Sequence, residues 1–428
     1  MKALLRSFAA WILAHLARAV ITKYQPMIVM VTGSVGKTST KDAVAAALST
    51  TYDLRTSEKS YNSEFGVPFT ILGAHNPWNS ITAWIGVVQR AFALVFITQP
   101  YPKLLVLEVG ADRPGDLAKI LKIATPDAVV VSHLLNVPVH VEAYTSPRAV
   151  HEEEFAPAYA LPTDAPLVLS SDDGHALQMA EKLPVHVVSF GFTKGADVEI
   201  TNPKPYLAQA TVTGMQATVV TDGTSYPLIV TGALGRPQLY APAAALALAK
   251  GLGISIENAL KGLATYVPPP GRARILAGLN GSTLIDDSYN ASPAAVVESL
   301  SALALMKGGR KIAVLGDMLE LGRYSVEEHE RIGKEVAKSA DMLVAVGMRA
   351  QAVASAAQAA GLKEEMVHKY AKSPEAAEAL FSLVTEGDFV LIKGSQVMRM
   401  ERVVARLLAN PKDTTQLVRQ EKEWLLIK

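Results

Sequence analysis

Cysteine is absent from all 428 residues, which excludes disulfides, cysteine-ligated zinc and thiol nucleophiles. An excess of one charge is missing as well: 41 basic side chains stand against 40 acidic ones, a formal net charge of +1. With no long run of either sign, the chain has no electrostatic footprint for DNA or RNA, and nucleic acid is not expected as a partner. Internal repeats and low-complexity segments are lacking, and nothing in the composition points to disorder. The length suits two or three domains with sizeable cores. Clean apolar runs of membrane-spanning length are also lacking. The stretch from Ile81 to Thr98 comes near, with Trp84, Val87, Val88, Ala91, Phe92 and Val95 at helical spacing, but Gln89 and Arg90 at its middle are expensive in hydrocarbon. Residues 1–22 are mostly apolar behind Lys2 and Arg6. A secretory leader is disfavoured there, because an apolar strand starts a few residues later and Arg18 spoils Ala17-Arg18-Ala19 as a cleavage site. Both segments are expected to be helices that pack on the protein or on each other, the weaker alternative being attachment to a membrane surface or a partner.

What is present is a nine-residue stretch, Thr32-Gly33-Ser34-Val35-Gly36-Lys37-Thr38-Ser39-Thr40, after the apolar run Met27 to Val31 and before the helix-like segment Lys41 to Leu48. That context reads strand, phosphate loop, helix. Backbone N–H groups from Gly33, Ser34, Val35 and Gly36, with the helix start through Ser39, would surround a polyphosphate; Lys37 supplies a point charge and the Thr38 hydroxyl can hold Mg²⁺. A nucleoside triphosphate such as ATP is the expected cofactor, and its use points to the cytoplasm. Val31 stands where the usual G-x-x-x-x-G-K-[ST] spacing has Gly, so the loop is the shorter G-x-x-G-K-T.

Short apolar runs at Leu104–Glu108, Ala128–Val131 and Leu167–Leu169 alternate with helical stretches. This predicts a doubly wound α/β domain with ligands at the carboxyl ends of a parallel sheet. Shorter alternating stretches within 185–231, such as Ala210 to Val220, predict a small antiparallel patch. Pro268-Pro269-Pro270-Gly271 marks a boundary, since three prolines neither continue a helix nor donate to a sheet. A second, Rossmann-like α/β series follows, with strands at Thr283–Asp286, Lys311–Leu315, Met342–Val346 and Phe389–Ile392, and Ser292-Pro293 opening a helix over Ala294–Ala304. The expected division is an apolar N-terminal helix over 1–26, a central domain over 27–268 with an apolar insertion at about 73–101, a C-terminal domain over 269–410, and a docked tail over 411–428 ending in Trp424-Leu-Leu-Ile427. Glu108, at a strand end, is placed to share Mg²⁺ with Thr38. His140 and Glu142 follow the next strand; a neutral histidine there either coordinates a metal or satisfies a loop carbonyl, and the residues alone favour the second.

Read together, TGSVGKTST, then Tyr61-Asn62-Ser63-Glu64-Phe65-Gly66-Val67-Pro68, then LEVGADRPGD over 107–116, resemble the Mur ligase family in kind and order. After the prolines, Pro270-Gly271-Arg272, LIDDSYNASP over 284–293, VLGDMLELG over 314–322 and KGSQVMRME over 393–401 resemble its D-alanyl-D-alanine-adding branch; the resemblance spans about 27–407. It implies an amide ligase in cell-wall precursor synthesis, in which ATP phosphorylates a carboxylate and an amine attacks the acyl phosphate. The resemblance further implies that Lys37 stabilises the transferred phosphoryl group, that Thr38 and Glu108 hold one Mg²⁺ and that His140 serves another. Arg272 would reach the nucleotide phosphates from the second domain, and Asp287 and Asn290 would fix nucleotide or hinge. Asn62 would face substrate, and Lys393, Ser395 and Arg399 the incoming amine, expected to be D-alanyl-D-alanine.

Three departures accompany it. Family members usually begin with a domain for a UDP-linked substrate, whereas 26 or so residues precede the loop here, so a lipid-linked or polymeric carboxylate is the alternative acceptor. The family's carbamylated lysine has no counterpart: no lysine lies between Lys122 and Lys182, and aligning on Thr145-Ser146-Pro147 puts Glu154 there, an oxygen ligand for metal in its own right, the alternative being that Glu152, Glu153 and Glu154 form an exposed acidic helix turn. Near the base, Gln238 keeps one amide of the family pattern and Ala241 lacks the other. From another class, an ATP-binding scaffold without turnover is the remaining alternative, against which the set Lys37, Thr38, Glu108, His140 and Arg272 argues.

Overall fold

The computed structural model describes residues 2–57, 60–77, 80–136, 138, 140–208 and 211–425. Met1 of the apolar N-terminal segment, residues 78–79 of the insertion, Ala210 at the head of an expected strand and the last three residues of the tail lie outside the described residues. Two sheets organise the rest. The first holds β1 (Met27–Thr32), β2 (Leu54–Thr56), β3 (Leu104–Glu108), β4 (Ala128–Val131), β5 (Pro166–Ser170), β6 (His186–Gly191), β7 (Val198–Ala208), β8 (Thr211–Thr221) and β9 (Thr224–Thr231). Their order is β2-β3-β1-β4-β5-β6-β7-β8-β9. Pairing is parallel from β2 to β7 and antiparallel across β7, β8 and β9, so the expected antiparallel patch continues the main sheet rather than standing apart.

Side-chain alternation assigns the two faces of this sheet. Val29 and Val31 of β1, with Leu104 and Val106 of β3, enter the core under the helices α2 (Lys37–Leu48) and Pro237–Gly251. Their neighbours Ile28, Met30, Leu105 and Leu107 point to the other face. That second face is covered by α1 (Lys2–Tyr24), α3 (Gly66–Leu72) and α4 (Ile81–Phe96), through Leu13, Ala17 and Val20 of α1 and Val87, Ala91 and Leu94 of α4. The two apolar segments therefore pack on the sheet and on each other. Lys23 at the end of α1 donates to the carbonyls of Leu94 and Val95 at 3.0 and 3.1 Å, which satisfies the last turn of α4. The end of α3 is closed in the same way, by Arg55 and Tyr101 on Ile71 O and by Arg90 on Leu72 O, each at 2.7 Å. Burial in this place pushes the Tyr101 hydroxyl up to about 12.

The second sheet runs β10 (Arg274–Ala277), β11 (Thr283–Asp287), β15 (Phe389–Lys393), β12 (Lys311–Gly316), β13 (Met342–Val346), β14 (Val367–Tyr370), all parallel except β10. The short edge strands β2, β10 and β14 lack a distinctive apolar run and are not legible in the sequence. Backbone bonds tie the two sheets across the proline boundary, from Leu234 N to Ala273 O and from Ile275 N to Gly232 O.

One close approach sets the packing of α2. A Cβ on Gly262, in the helix Ile256–Leu263, would stand 2.1 Å from the Ala46 carbonyl oxygen. Gly262→Ala must push this helix off α2, and we expect a loss of about 1–3 kcal/mol, read as a lower urea midpoint with an unchanged slope.

Candidate active site

The phosphate loop leaves the sheet between two neighbours, because Val31 is paired with Glu108 of β3 and Thr32 with Val131 of β4. It turns through Gly33 at φ +120 and Gly36 at φ +83, conformations that L side chains rarely adopt. Space imposes glycine as firmly at the first: a Cβ on residue 33 would lie 2.6 Å from Ser132 Oγ. Ser34 N donates to His133 O at 2.8 Å, and Ser132 Oγ donates to the carbonyls of Thr32 and Val35, so the loop is laced to the end of β4. Lys37 Nζ donates to Gly33 O at 2.5 Å. The helix α2 then starts at Lys37, four residues earlier than its sequence reading, and aims its free N–H groups into the loop.

Carboxylates flank the loop on two sides. Glu108, buried at the end of β3, accepts from Thr38 Oγ1 at 3.2 Å and from Ser60 Oγ through the same oxygen, Oε1. Its other oxygen, Oε2, is buried without a hydrogen-bond partner among the described residues. An orphaned carboxylate oxygen beside a threonine hydroxyl is a hard-donor pair that fits Mg²⁺ carrying substrate phosphates. On the other side Ser34 Oγ donates to Glu154 Oε2 at 2.5 Å, and Thr32 Oγ1 donates to the Glu154 carbonyl at 2.6 Å. Burial raises the Glu154 carboxyl above the ordinary range, opposed first by the charge of Lys37 and also by that of His140. His140 itself, at φ +65, faces Asp112 Oδ1 at 3.5 Å and Glu320 Oε2 at 3.2 Å, the latter from the second sheet's side. Among the described residues no three His, Asp or Glu side chains gather to hold a metal by themselves. Asn62 lies close by: a Cβ on Gly110 would meet Asn62 Nδ2 at 3.1 Å and Lys37 Cε at 3.3 Å.

A cavity of about 890 Å³ runs from the loop to the second sheet, lined by Gly36, Ser39, Gln238, Arg272, Asp287 and Lys393 among others. Asp287 and Lys393 are cross-strand partners at the ends of β11 and β15, and their side chains meet at 2.6 Å. Asp287 also accepts from Ser299 Oγ at 2.6 Å, and Lys393 donates to Asn290 O at 3.1 Å. Burial lowers the Lys393 ammonium below its usual range despite the charge of Asp287. The Arg272 guanidinium stacks 4.1 Å from the Tyr289 ring centroid, and its carbonyl accepts from Gln238 Nε2 at 3.3 Å. Ser395 and Arg399 stand off this cavity. Ser395 Oγ accepts from Leu319 N at 2.8 Å, while Arg399 is bound to Glu401 at 2.5 Å and to the carbonyl of Trp424 in the tail at 3.0 Å.

Several cavity residues escape sequence reasoning. Asp173, which caps the helix Gly174–Ala180, also accepts from Leu134 N at 2.6 Å and faces His133. Asp172 accepts from Phe192 N, Thr193 N and Tyr240 OH at 2.8 Å each. The Ser-Asp-Asp-Gly after β5 is the local signal of a strand-end carboxylate and a helix cap.

A parallel sheet with a glycine loop opening onto a helix N-terminus, facing a second α/β unit across one cavity, defines an α/β protein of the nucleotide-binding kind. The family model for the Mur ligase middle domain matches residues 31–249, and that for the Mur ligase glutamate ligase domain matches 271–396. The chain belongs to the Mur ligase family. It is 30% identical over 436 residues to the UDP-N-acetylmuramoyl-tripeptide--D-alanyl-D-alanine ligase of Mycobacterium tuberculosis (strain CDC 1551 / Oshkosh), covering 93% of this chain and 76% of that protein. The Bacillus subtilis (strain 168) ligase of the same name is 26% identical over 401 residues, covering 93% and 79%. Among solved structures, MurF ligase from Thermotoga maritima in complex with ADP superposes with a TM-score of 0.73 at 26% identity, covering 93% of this chain and 83% of that one.

A pH dependence follows from the first carboxylate of the DDSYN motif. Asp286 is fully buried, accepts from Ser288 N and Oγ through Oδ1, and has no partner for Oδ2 among the described residues. Burial pushes it from 3.8 up to about 6. The fold thus holds this proton more tightly than the unfolded chain does, so its stabilising contribution is complete below pH 3.8 and is lost as pH rises through about 6. Asp286→Asn keeps the acceptor and removes the titration. We expect the variant to gain on the parent by on the order of 1–3 kcal/mol between about pH 4 and 7, measured by urea unfolding across that range.

Proposed function

We propose that the protein is an ATP-dependent amide ligase that joins D-alanyl-D-alanine to the peptide carboxylate of a UDP-linked muramoyl tripeptide, in the cytoplasm. The observation that carries the chemistry is the Glu108 carboxylate, hydrogen-bonded to Thr38 through one oxygen and without a partner at the other among the described residues, one strand away from the phosphate loop. The names of the relatives carry the choice of substrates. The chain divides on this reading into a nucleotide-binding unit over 27–268 and a closing unit over 269–410.

An oxygen of the acceptor carboxylate attacks the γ-phosphorus of ATP, and the bond to the β-bridging oxygen breaks with its electron pair leaving on ADP. The amine nitrogen then attacks the acyl carbon, phosphate departs with the C–O pair, and the amine gives up a proton. Lys37 and the loop N–H groups oppose the charge that builds on the transferred phosphoryl group. Mg²⁺, held by Thr38 and Glu108, with Glu154 and His140 proposed for a second ion, would supply the charge neutralisation that lets a carboxylate and a phosphate approach. On this reading Arg272 meets the phosphates from the second unit and Asn62 faces the acceptor, a role supported by its place beside Lys37 at Gly110. Bringing the two units together excludes the water that would hydrolyse an acyl phosphate.

Phosphate release tests this reading. Little is expected from ATP alone and much more when UDP-linked tripeptide and D-alanyl-D-alanine are both present. Lys37→Ala should lower kcat by roughly 10²–10³, and Glu108→Gln should shift the Mg²⁺ dependence to higher concentration. ATP binding with no turnover on any muramoyl peptide would sink the assignment, whereas turnover on a lipid-linked acceptor only would keep the chemistry and replace the acceptor.

A further inference from the structure

The outer side of α4 is apolar and exposed among the described residues. Ile81, Ile85, Phe92 and Phe96 are 77, 52, 47 and 74% exposed. At 100° per residue these four positions fall within an arc of about 60°, opposite the buried Val87, Ala91 and Leu94. Phe92 and Phe96 stack on each other with ring centroids 5.7 Å apart. Ile97, just past the helix, is 62% exposed, and Trp11 on the neighbouring α1 is 57% exposed. Scattered exposed hydrophobics need no explanation, but a one-sided aromatic and aliphatic face does.

Charge says what covers it. Residues 1–41 and 65–107, which contain α1 and α4, include no aspartate or glutamate at all, although the whole chain carries 40 acids. The same segments carry Lys2, Arg6, Arg18, Lys23, Arg90 and Lys103, besides Lys37 and Lys41 of the phosphate loop and its helix. Acidic residues are thus absent from both segments, and Arg18, Lys23 and Arg90 are exposed on α1 and α4. No helix among the described residues is long and apolar enough to cross a membrane. A helix side bearing Phe and Ile, on segments whose charged residues are all basic, matches the interface of an anionic bilayer, where rings enter the acyl boundary and lysines and arginines meet the headgroups.

We propose that the α1–α4 face docks the protein on the surface of anionic lipid, with the α4 axis in the plane of the membrane and Phe92 and Phe96 inserted. The inference is independent of the ligase reading, since it uses no residue of the loop or of the cavity.

Flotation of the full chain with vesicles tests it. The protein is expected to float with phosphatidylglycerol-containing vesicles, to remain behind with pure phosphatidylcholine, and to lose binding as salt is raised. Phe92→Ser with Phe96→Ser should weaken partition at least about tenfold while leaving nucleotide binding and the urea midpoint unchanged, since both rings already face outward. Failure of the parent to float on anionic vesicles would overturn the proposal, as would equal flotation of the double variant. A concentration-dependent dimer abolished by the same substitutions, without lipid binding, would also overturn it and assign the face to a second copy of the chain.

Discussion

The geometry around the triphosphate loop depends on the want of a side chain at residue 33. With Ser132 Oγ 2.6 Å from where a Cβ would stand, any other residue would lift the loop off the end of β4. Seated there, the loop sends Ser34 to Glu154 on one side and starts α2 so that Thr38 meets Glu108 on the other. The register of β1 does the rest, since pairing Val31 with Glu108 and Thr32 with Val131 brings both flanking loops to the same height as the phosphate loop. One steric condition and one strand register thus set a carboxylate on each side of the loop.

The second sheet repeats the device with charge in place of space. Asp287 and Lys393 are opposed by strand pairing, and their buried contact is braced by Ser299 and the Asn290 carbonyl. Such a pair is costly to desolvate and costly to break, so it holds the ends of β11 and β15 in one arrangement. Arg272 is held nearby by Tyr289, which also receives Arg419 from the tail. The contact of His140 with Glu320 bridges from the nucleotide-binding side to the second unit. These are the points through which relative movement of the two units would be felt at the loop.

Legibility in the sequence followed the strength of the local signal. Runs such as LLVLE over 104–108 and AVVV over 128–131 are buried on both faces and stand where their composition puts them. The family is likewise legible, because its motifs are contiguous. The strands β2, β10 and β14 are short or lie at an edge, where apolar patterning is weak, and they escaped. Asp172 and Asp173 escaped for another reason: a capping carboxylate looks alike in any loop, and its place on the cavity comes from Tyr240 and Leu134, distant in the chain. Lys393 and Arg399 were legible as charged residues in a motif, yet nothing local says that one pairs with Asp287 and the other with Glu401 beneath the tail.

By itself the sequence determined the strand, glycine loop and helix of the first unit, the α/β class of both units, and the chemistry of the available donors. These are local properties of periodicity, glycine placement and side-chain type. The tertiary structure alone decided which lone pairs are spoken for: among the described residues Glu108 Oε1 is taken and Oε2 is not, both nitrogens of His140 face carboxylates, and one side of α4 is exposed. Those outcomes depend on partners tens to hundreds of residues away. Strand register and helix packing bring such partners together, and no pattern within a single segment encodes them.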